Sequence, residues 1–526
     1  MCEHHSPAPG GSMDADRRDF LRTTARTAGL AGALASGVVS TSAPQMFEPA
    51  VATTSRTRTW SGRFTGVGTP DWHYVPVHVP RGVREIEVSY DYESTPTPLG
   101  MSANVIDIGM FDPSGHELGD AAGFRGWSGG ARRRFHISRS SATPGYVPGP
   151  MTPGLWHVIL GPVAIVPPGV EWTLRVTLHF GRPGPRFEPA PAPRAVPGTG
   201  RRWYRGDMHL HTVHSDGTRT PRQMVAAARA AGLDFFASTE HNTSSAGLVW
   251  GRETPDDFLV VNGEEVTTRD GHWLAVGLPA GAWVDWRYRV TDGELPRFTD
   301  QVRDLGGLAI VAHPSVPIPT TGWTFGSWDD ADAVEVWNGP WTEDDEGTLA
   351  RWHDLIVAGR FLPAVGNSDS HRPDQPVGLP QTVVLADTLG SGAIVRALKA
   401  GRAWVAESSD VHLSLRVTGP SGTATCGGHL AAAPSDTVQV RLRATGVPGC
   451  VATLIGPAGP VASAPAGGRG AVVLEQELPA AAVPFVRAEV RRPASSPDEV
   501  PTDPTRDSLG TTMVALTNPV FVTAAG

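Results

Sequence analysis

The sequence predicts an α/β protein in which a parallel sheet covered by helices, a β/α barrel in preference to an open sheet, sits between two antiparallel β-sandwiches. Three observations predict it. Apolar runs of four to six residues alternate with helix-like segments through the middle of the chain, the pattern of a parallel sheet covered by helices. Short runs of period-two alternation, separated by turn residues, flank that middle on both sides. The chain has 526 residues, 40% of them hydrophobic, with 61 Gly and 48 Pro, enough for two to four folded units rich in turns and too broken for an all-helical bundle. A formal net charge of -9 supplies no basic surface for a polyanion, so nucleic acid is not an expected partner.

Residues 1–46 read as an address. Arg17 and Arg18 precede Phe20 and Leu21, a weakly apolar stretch follows over 28–39, and small residues stand at 41–43, which resembles a twin-arginine export signal, with Met13 an alternative start. That stretch is shorter than the roughly 20 residues a spanning helix needs, so no integral membrane association is expected. The expected location is the cell envelope or the medium, with the twin-arginine export machinery as transport partner. Cys2 would leave with the signal. Cys426 and Cys450 remain, and in an oxidising compartment one disulfide between them is expected.

Residues 47–187 carry β-rich runs at 74–79, 85–90, 156–160 and 172–178, the N-terminal β-sandwich. Prolines crowd 188–202 and mark a linker. The barrel occupies 203–410, with candidate strands at 233–238, 258–261, 308–312, 333–337, 361–365 and 382–386. One helix is fully specified: Thr220 caps it, Pro221 opens it, Gln223 completes a capping box, and Gly232 stops it. Residues 411–526 contain β-like runs near 413–417, 438–444, 471–474 and 514–522, and are expected to form a C-terminal β-sandwich.

Polar residues fall where those strands end. His209 and His211 close the first, Glu240 and His241 the second, Glu265 the third; His313 ends another, and Asp369 and His371 follow the run at 364–368. In a parallel barrel these ends meet on one face, where barrel enzymes build their sites. His209 and His211 at i, i+2 on a strand share a side. Asp216, in the turn after His211, and His272, in a neighbouring apolar run, complete six histidines and three carboxylates. Imidazole with carboxylate suits zinc, manganese or iron, and so many donors exceed one tetrahedral ion, so two or three divalent metal ions are expected with Glu265 as a bridge. Such a pair acidifies water and stabilises charge on substrate oxygens, which is hydrolase chemistry.

The motifs Asp-Met-His-Leu-His-Thr-Val-His-Ser-Asp-Gly (207–217), Thr-Glu-His-Asn (239–242), Asn-Gly-Glu-Glu-Val-Thr-Thr (262–268), Ala-His-Pro (312–314) and Gly-Asn-Ser-Asp-Ser-His (366–371) resemble, in order and spacing, those of the PHP superfamily, named for polymerase and histidinol phosphatase. The resemblance implies a distorted seven-stranded, TIM-like β/α barrel with a metal cluster at its rim. With the export signal, the flanking β regions and the run Ala-Leu-Thr-Asn-Pro-Val (515–520), the chain is similar to the branch containing carbaryl hydrolase. Carried over by motif, His209, His211, Glu265 and Asp369 would hold one metal, Glu265, His272 and His313 a second, and Asp216, His241 and His371 a third. Glu265 and Asp369 would then hold a metal-bound hydroxide. Glu240 stands where the superfamily usually has Asp.

A wholly structural cluster would bury six imidazoles and three carboxylates without a counter-charge, which is costly. His214 is expected in a loop or supporting role. Arg269 and Arg372 are candidates for contacting an anionic substrate. Trp323, Trp328, Trp337 and Trp341 fit either an apolar pocket or the core. The resemblance implies hydrolysis of a small-molecule phosphoester as the activity. Hydrolysis of a carbamate or carboxylic ester, as in the carbaryl-hydrolase branch, is the second reading, and a non-catalytic exported binder the third.

Overall fold

Val75, Val77 and Val79 are buried between exposed neighbours, the period of two that a half-buried strand requires, and the pattern recurs along the first third of the chain. The computed structural model describes residues 54–66, 68–94, 104–493 and 510–524. The expected export signal lies outside the described residues. Among the described residues the first strands are β1 (Ser55–Phe64), β2 (His73–Val79), β3 (Val83–Tyr92), β4 (Val105–Phe111), β5 (Phe124–Gly129), β6 (Arg134–Ser138), β7 (Gly154–Ala164) and β8 (Val170–Phe180). They pair antiparallel as two four-stranded sheets, β1-β8-β3-β6 and β2-β7-β4-β5, whose inner residues, such as Ile86, Ile108, Trp156 and Leu174, share one core. β4 is buried along its whole length because the outer face of its sheet meets the next region: Phe111, Trp127 and Ile159 pack with Val266, Trp273 and Trp286.

Residues 188–201 contain no strand, as the prolines require, and the segment is pinned to the central region. Ala190 donates to Leu248 O at 2.8 Å and accepts from Gly251 N at 2.7 Å.

The central elements are β9 (Arg202–Asp207), α1 (Pro221–Ala230), β10 (Phe235–Ser238), β11 (Leu259–Thr268), β12 (Gly271–Val276), α2 (Leu295–Asp304), β13 (Leu308–Val311), β14 (Ala333–Asn338), α3 (Glu343–Val357), β15 (Ala364–Asn367), β16 (Gln381–Ala386), α4 (Ser391–Lys399) and β17 (Ala403–Ala406). α1 carries the expected capping box, with Thr220 and Gln223 each accepting from the other's backbone N–H. The sheet runs β15-β14-β13-β12-β11-β10-β9-β16-β17. The expectation of a parallel barrel is corrected here. β9, β10 and β11 pair parallel, as do β13, β14 and β15, but β12 lies antiparallel to both of its neighbours, and β16 is antiparallel to β9 and β17. The physical cause is the short turn at Arg269 and Asp270: a few residues can return the chain only as a hairpin, whereas a parallel neighbour needs a long crossover. Between β15 and β16 the described contact is a side-chain clasp, the Thr382 hydroxyl accepting from Gly366 N at 2.9 Å and donating to Gly366 O at 2.7 Å.

The last strands are β18 (His412–Gly419), β19 (Gly422–Ala424), β20 (His429–Ala432), β21 (Thr437–Thr445), β22 (Val451–Gly456), β23 (Gly459–Pro465), β24 (Ala471–Pro479), β25 (Phe485–Pro493), β26 (Thr511–Thr517) and β27 (Val520–Ala524). β19-β18-β21-β24 forms one sheet; β26, β25, β22 and β23 extend the central sheet, because β26 pairs with β17. The C-terminal strands were expected as a separate sandwich, but one of their two layers is continuous with the central sheet. Cys426 and Cys450 are buried in the core between the layers and both are free, so the expected disulfide is not formed. Each thiol serves as a small apolar side chain there, with the Cys450 sulfhydryl 3.5 Å from Pro448 O. Among the described residues no helix is long and apolar enough to cross a membrane.

Candidate metal centre

The first motif leaves β9 at Asp207 and is tied at once to the last motif. The Asp207 carboxylate accepts from Ser368 Oγ (2.5 Å), Ser368 N (3.1 Å), Gly378 N (2.9 Å) and His209 N (3.2 Å), and burial pushes its pKa up to about 6 against these bonds. The loop after His211 is held from beneath by Glu240, which accepts from Thr212 N (3.0 Å) and Ser215 Oγ (2.6 Å). It is held from above by Arg132 of the N-terminal sheets, which donates to Ser215 O (3.2 Å) and to Val213 O. Gly217 closes the turn against the backbone of His211: a Cβ there would fall 2.3 Å from His211 O, so no larger residue fits.

These supports bring all nine expected residues together. His209 Nε2 lies 3.2 Å from Glu265 Oε2 and 3.3 Å from Asp369 Oδ1; His211 Nε2 lies 3.3 Å and 3.0 Å from the same two atoms. Glu265 Oε1 is 2.8 Å from His272 Nδ1 and 3.3 Å from His313 Nε2. Asp216 Oδ1 is 3.5 Å from His241 Nε2 and 3.3 Å from His371 Nε2. The two oxygens of Glu265 thus belong to adjacent groups, the position of a bridge. Glu265 lies within β11 and His272 near the start of β12, not at strand C-termini. The antiparallel hairpin, pairing Thr267 with His272, turns both toward the rim.

The donor set fits divalent cations. Ligand atoms about 2.0–2.2 Å from a tetrahedral or octahedral ion stand roughly 3.0–3.5 Å from one another, the separation seen here. Nε2 of His209, His211 and His371, with Glu265 Oε2 and Asp216 Oδ1, are buried and make no well-formed hydrogen bond among the described residues. The far nitrogens are engaged. His209 Nδ1 faces the Glu335 carboxylate at 3.3 Å and His211 Nδ1 faces Ser215 Oγ at 3.4 Å, so each imidazole turns its Nε2 lone pair inward.

Charge balance tells the same story. Burial would raise the Glu265 and Asp369 carboxyls, but surrounding histidines, His241 first for Glu265 and His209 first for Asp369, hold both well below the usual range. Burial would lower His241, yet Glu265 and Asp216 lift it to about 10, and His209 is driven well up by Asp369, Glu265 and Glu335. His272 is held down at about 4 by burial. The carboxylates demand positive charge among them, and a bound cation would supply it in place of protons on imidazole.

Non-glycine residues with positive φ among the described residues are Asn242 (52°), His313 (27°), Thr320 (68°) and Asp369 (49°). Two are candidate ligands, one follows His241, and Thr320 lines the adjoining pocket, so backbone strain gathers at this centre.

Other expectations fare differently. His214 stands apart, its Nδ1 2.8 Å from Ser245 Oγ, and burial pushes it down to about 4. Arg372 does not line the pocket; its Nε lies 3.5 Å from Asp374. Trp328, Trp337 and Trp341 are core residues, and partly buried Trp323 packs against the same core. The indoles that line the pocket are Trp72, Trp127 and Trp286. Sequence reasoning missed Glu335, which accepts from His313 N (2.9 Å), Asn338 Nδ2 (3.0 Å) and Asn367 Nδ2 (2.8 Å) besides facing His209. The available signal was an acidic residue inside the apolar run 333–337. Trp72 and Trp127, remote in sequence, gave no such signal.

The chain matches no family model. It is 29% identical over 147 residues to an uncharacterized protein of Methanocaldococcus jannaschii, spanning 26% of this chain and 81% of that protein. Among solved structures it is similar to a two-domain protein of Bacteroides vulgatus containing a predicted PHP-like metal-dependent phosphoesterase, at 16% identity and a TM-score of 0.34, covering 59% of this chain and 94% of that one. It is also similar to an amidohydrolase of Chromobacterium violaceum, at 19% identity and a TM-score of 0.25, covering 33% and 89%.

Proposed function

We propose that the protein is a metal-dependent hydrolase of the PHP type that cleaves phosphate esters. The observation that carries this reading is that His209 Nε2 and His211 Nε2 each stand 3.0–3.3 Å from Glu265 Oε2 and Asp369 Oδ1, flanked by the His272–His313 and Asp216–His241–His371 groups. In this reading the nine residues hold two or three divalent ions, zinc, manganese or iron. Bound there, such ions acidify a water molecule and neutralise charge that builds on substrate oxygens. The chain's own work is to fix the donors: Glu335 orients His209, Ser215 orients His211, and Glu240 holds the loop that carries Asp216. Glu265 spans two groups and keeps their spacing. Twin-arginine export and the division at 47–187, 203–410 and 411–526 belong to the same proposal, resting on the sequence.

A carbamate or carboxylic ester is the second reading, favoured by the indoles of Trp72, Trp127 and Trp286 along the pocket. Purified full chain, assayed with zinc or manganese on 4-nitrophenyl phosphate, bis-4-nitrophenyl phosphate and 1-naphthyl N-methylcarbamate, separates the two. Turnover of the phosphate substrates is expected. Turnover of the carbamate alone would overturn the phosphoesterase reading, and stoichiometric metal with no hydrolysis would favour a binder.

A further inference from the structure

One wall of the pocket beside the cluster is made by the N-terminal sheets. Trp72, Asp107 and Trp127 line it together with Arg269, His241 and His272. Arg269 sits in the turn between β11 and β12 and is 9% exposed. Its guanidinium lies over the Trp72 ring at 4.8 Å and stands 3.8 Å from Asp107 Oδ2, beyond hydrogen-bond reach. Arg269 Nε and Nη2 are buried and make no hydrogen bond among the described residues. These two N–H groups share one edge of the planar guanidinium, the edge that grips two oxygens of an oxyanion in parallel. Buried donors left unanswered are costly, so the arrangement calls for an acceptor from outside the chain. Gly161, the register partner of Asp107, lets Trp72 and Arg269 pack close against β7: a Cβ there would fall 2.7 Å from Trp72 Cζ3 and 3.0 Å from Arg269 Nη2.

We propose that the Nε/Nη2 edge of Arg269 binds two oxygens of a phosphate monoester, with Trp127 and Trp286 against the ester's organic group, so that recognition is shared between the N-terminal sheets and the central region. The inference rests on the phosphoesterase reading and narrows it: a neutral carbamate offers that edge one carbonyl oxygen and no charge.

The test is calorimetric binding of phenylphosphonate, which is not hydrolysed, to metal-loaded full chain, alongside turnover of 4-nitrophenyl phosphate. Arg269→Lys keeps the charge and loses the two-pronged edge, and about 10-fold weaker binding is expected; Arg269→Met loses both, and about 100-fold is expected. Thermal unfolding checks that each variant folds, and Arg269→Lys carries the test if Arg269→Met does not. Unchanged phenylphosphonate affinity in the variants, or no binding by wild type, overturns the proposal. Arg269-dependent binding without phosphate-ester turnover would sink the phosphoesterase reading and leave the anion-binding edge standing.

Discussion

Replacing Glu335 with Gln tests whether metal affinity depends on a residue that faces the cluster from behind. Each carboxylate oxygen meets donors: Oε1 faces His209 Nδ1 and Asn367 Nδ2, while Oε2 faces His313 N and Asn338 Nδ2. Whichever end of the amide becomes NH2, it meets a donor it cannot accept from, and the charge that fixes the His209 imidazole is gone. Losing one hydrogen bond to a charged group costs about 1.5–3 kcal/mol. A carboxylate that orients a metal-ligating imidazole contributes about 10–100-fold in affinity, or roughly 1.4–2.8 kcal/mol, so the two magnitudes agree. Chelator-competition titration of the full chain should therefore show Glu335→Gln binding zinc or manganese about 10–100-fold more weakly. Thermal unfolding with and without metal separates that loss from a loss of fold. Affinity and turnover equal to wild type would refute the argument that Glu335 sets the imidazole.

Chelation should abolish hydrolysis and lower the melting temperature, since metal at 100 times its dissociation constant stabilises the folded chain by about 2.7 kcal/mol; His209→Ala should lose activity, remain folded and respond less to chelator, as differential scanning would record. Gly217→Ala should destabilise the chain by about 1–3 kcal/mol and weaken metal binding, because the new methyl collides with the His211 backbone; equal melting and metal affinity would contradict that collision. Burial pushes the Cys426 thiol up to about 12, so at pH 8 only about one in 10⁴ of these groups is a thiolate. A thiol reagent should leave Cys426 untouched in the native protein and label all three cysteines of the full chain on unfolding without reductant; two missing thiols would restore the disulfide.

The candidate ligands were legible because each stands in a short run whose chemistry is carried by the residues themselves: His209 and His211 two apart, Asp216 before Gly217, His313 before Pro314. The capping box of Thr220 and Gln223 was legible for the same local reason. Strand direction was not. The run at 271–276 is apolar in either orientation, and only the brevity of its turn makes β12 antiparallel. The disulfide expectation failed because shared compartment and shared core do not bring two sulfurs into bonding geometry. The Arg269 edge was legible only as an arginine near a motif. Its neighbours lie far upstream, Asp107 and Gly161 on paired strands and Trp72 just before β2, and sequence separation hides such meetings.

The join between β17 and β26 bears on how this protein can be handled. Asn518 adds to it, its amide accepting from Ala364 N at 2.8 Å and donating to Ala364 O and Ala403 O at 3.0 Å each, so a residue near the end of the chain staples together two strands of the central region, β15 and β17. A truncation after residue 410 would strip a covering strand from β17 and leave its backbone groups as a template for self-association. The central region is therefore not a detachable cassette, and shortened versions made for crystallisation or engineering should keep everything through residue 524.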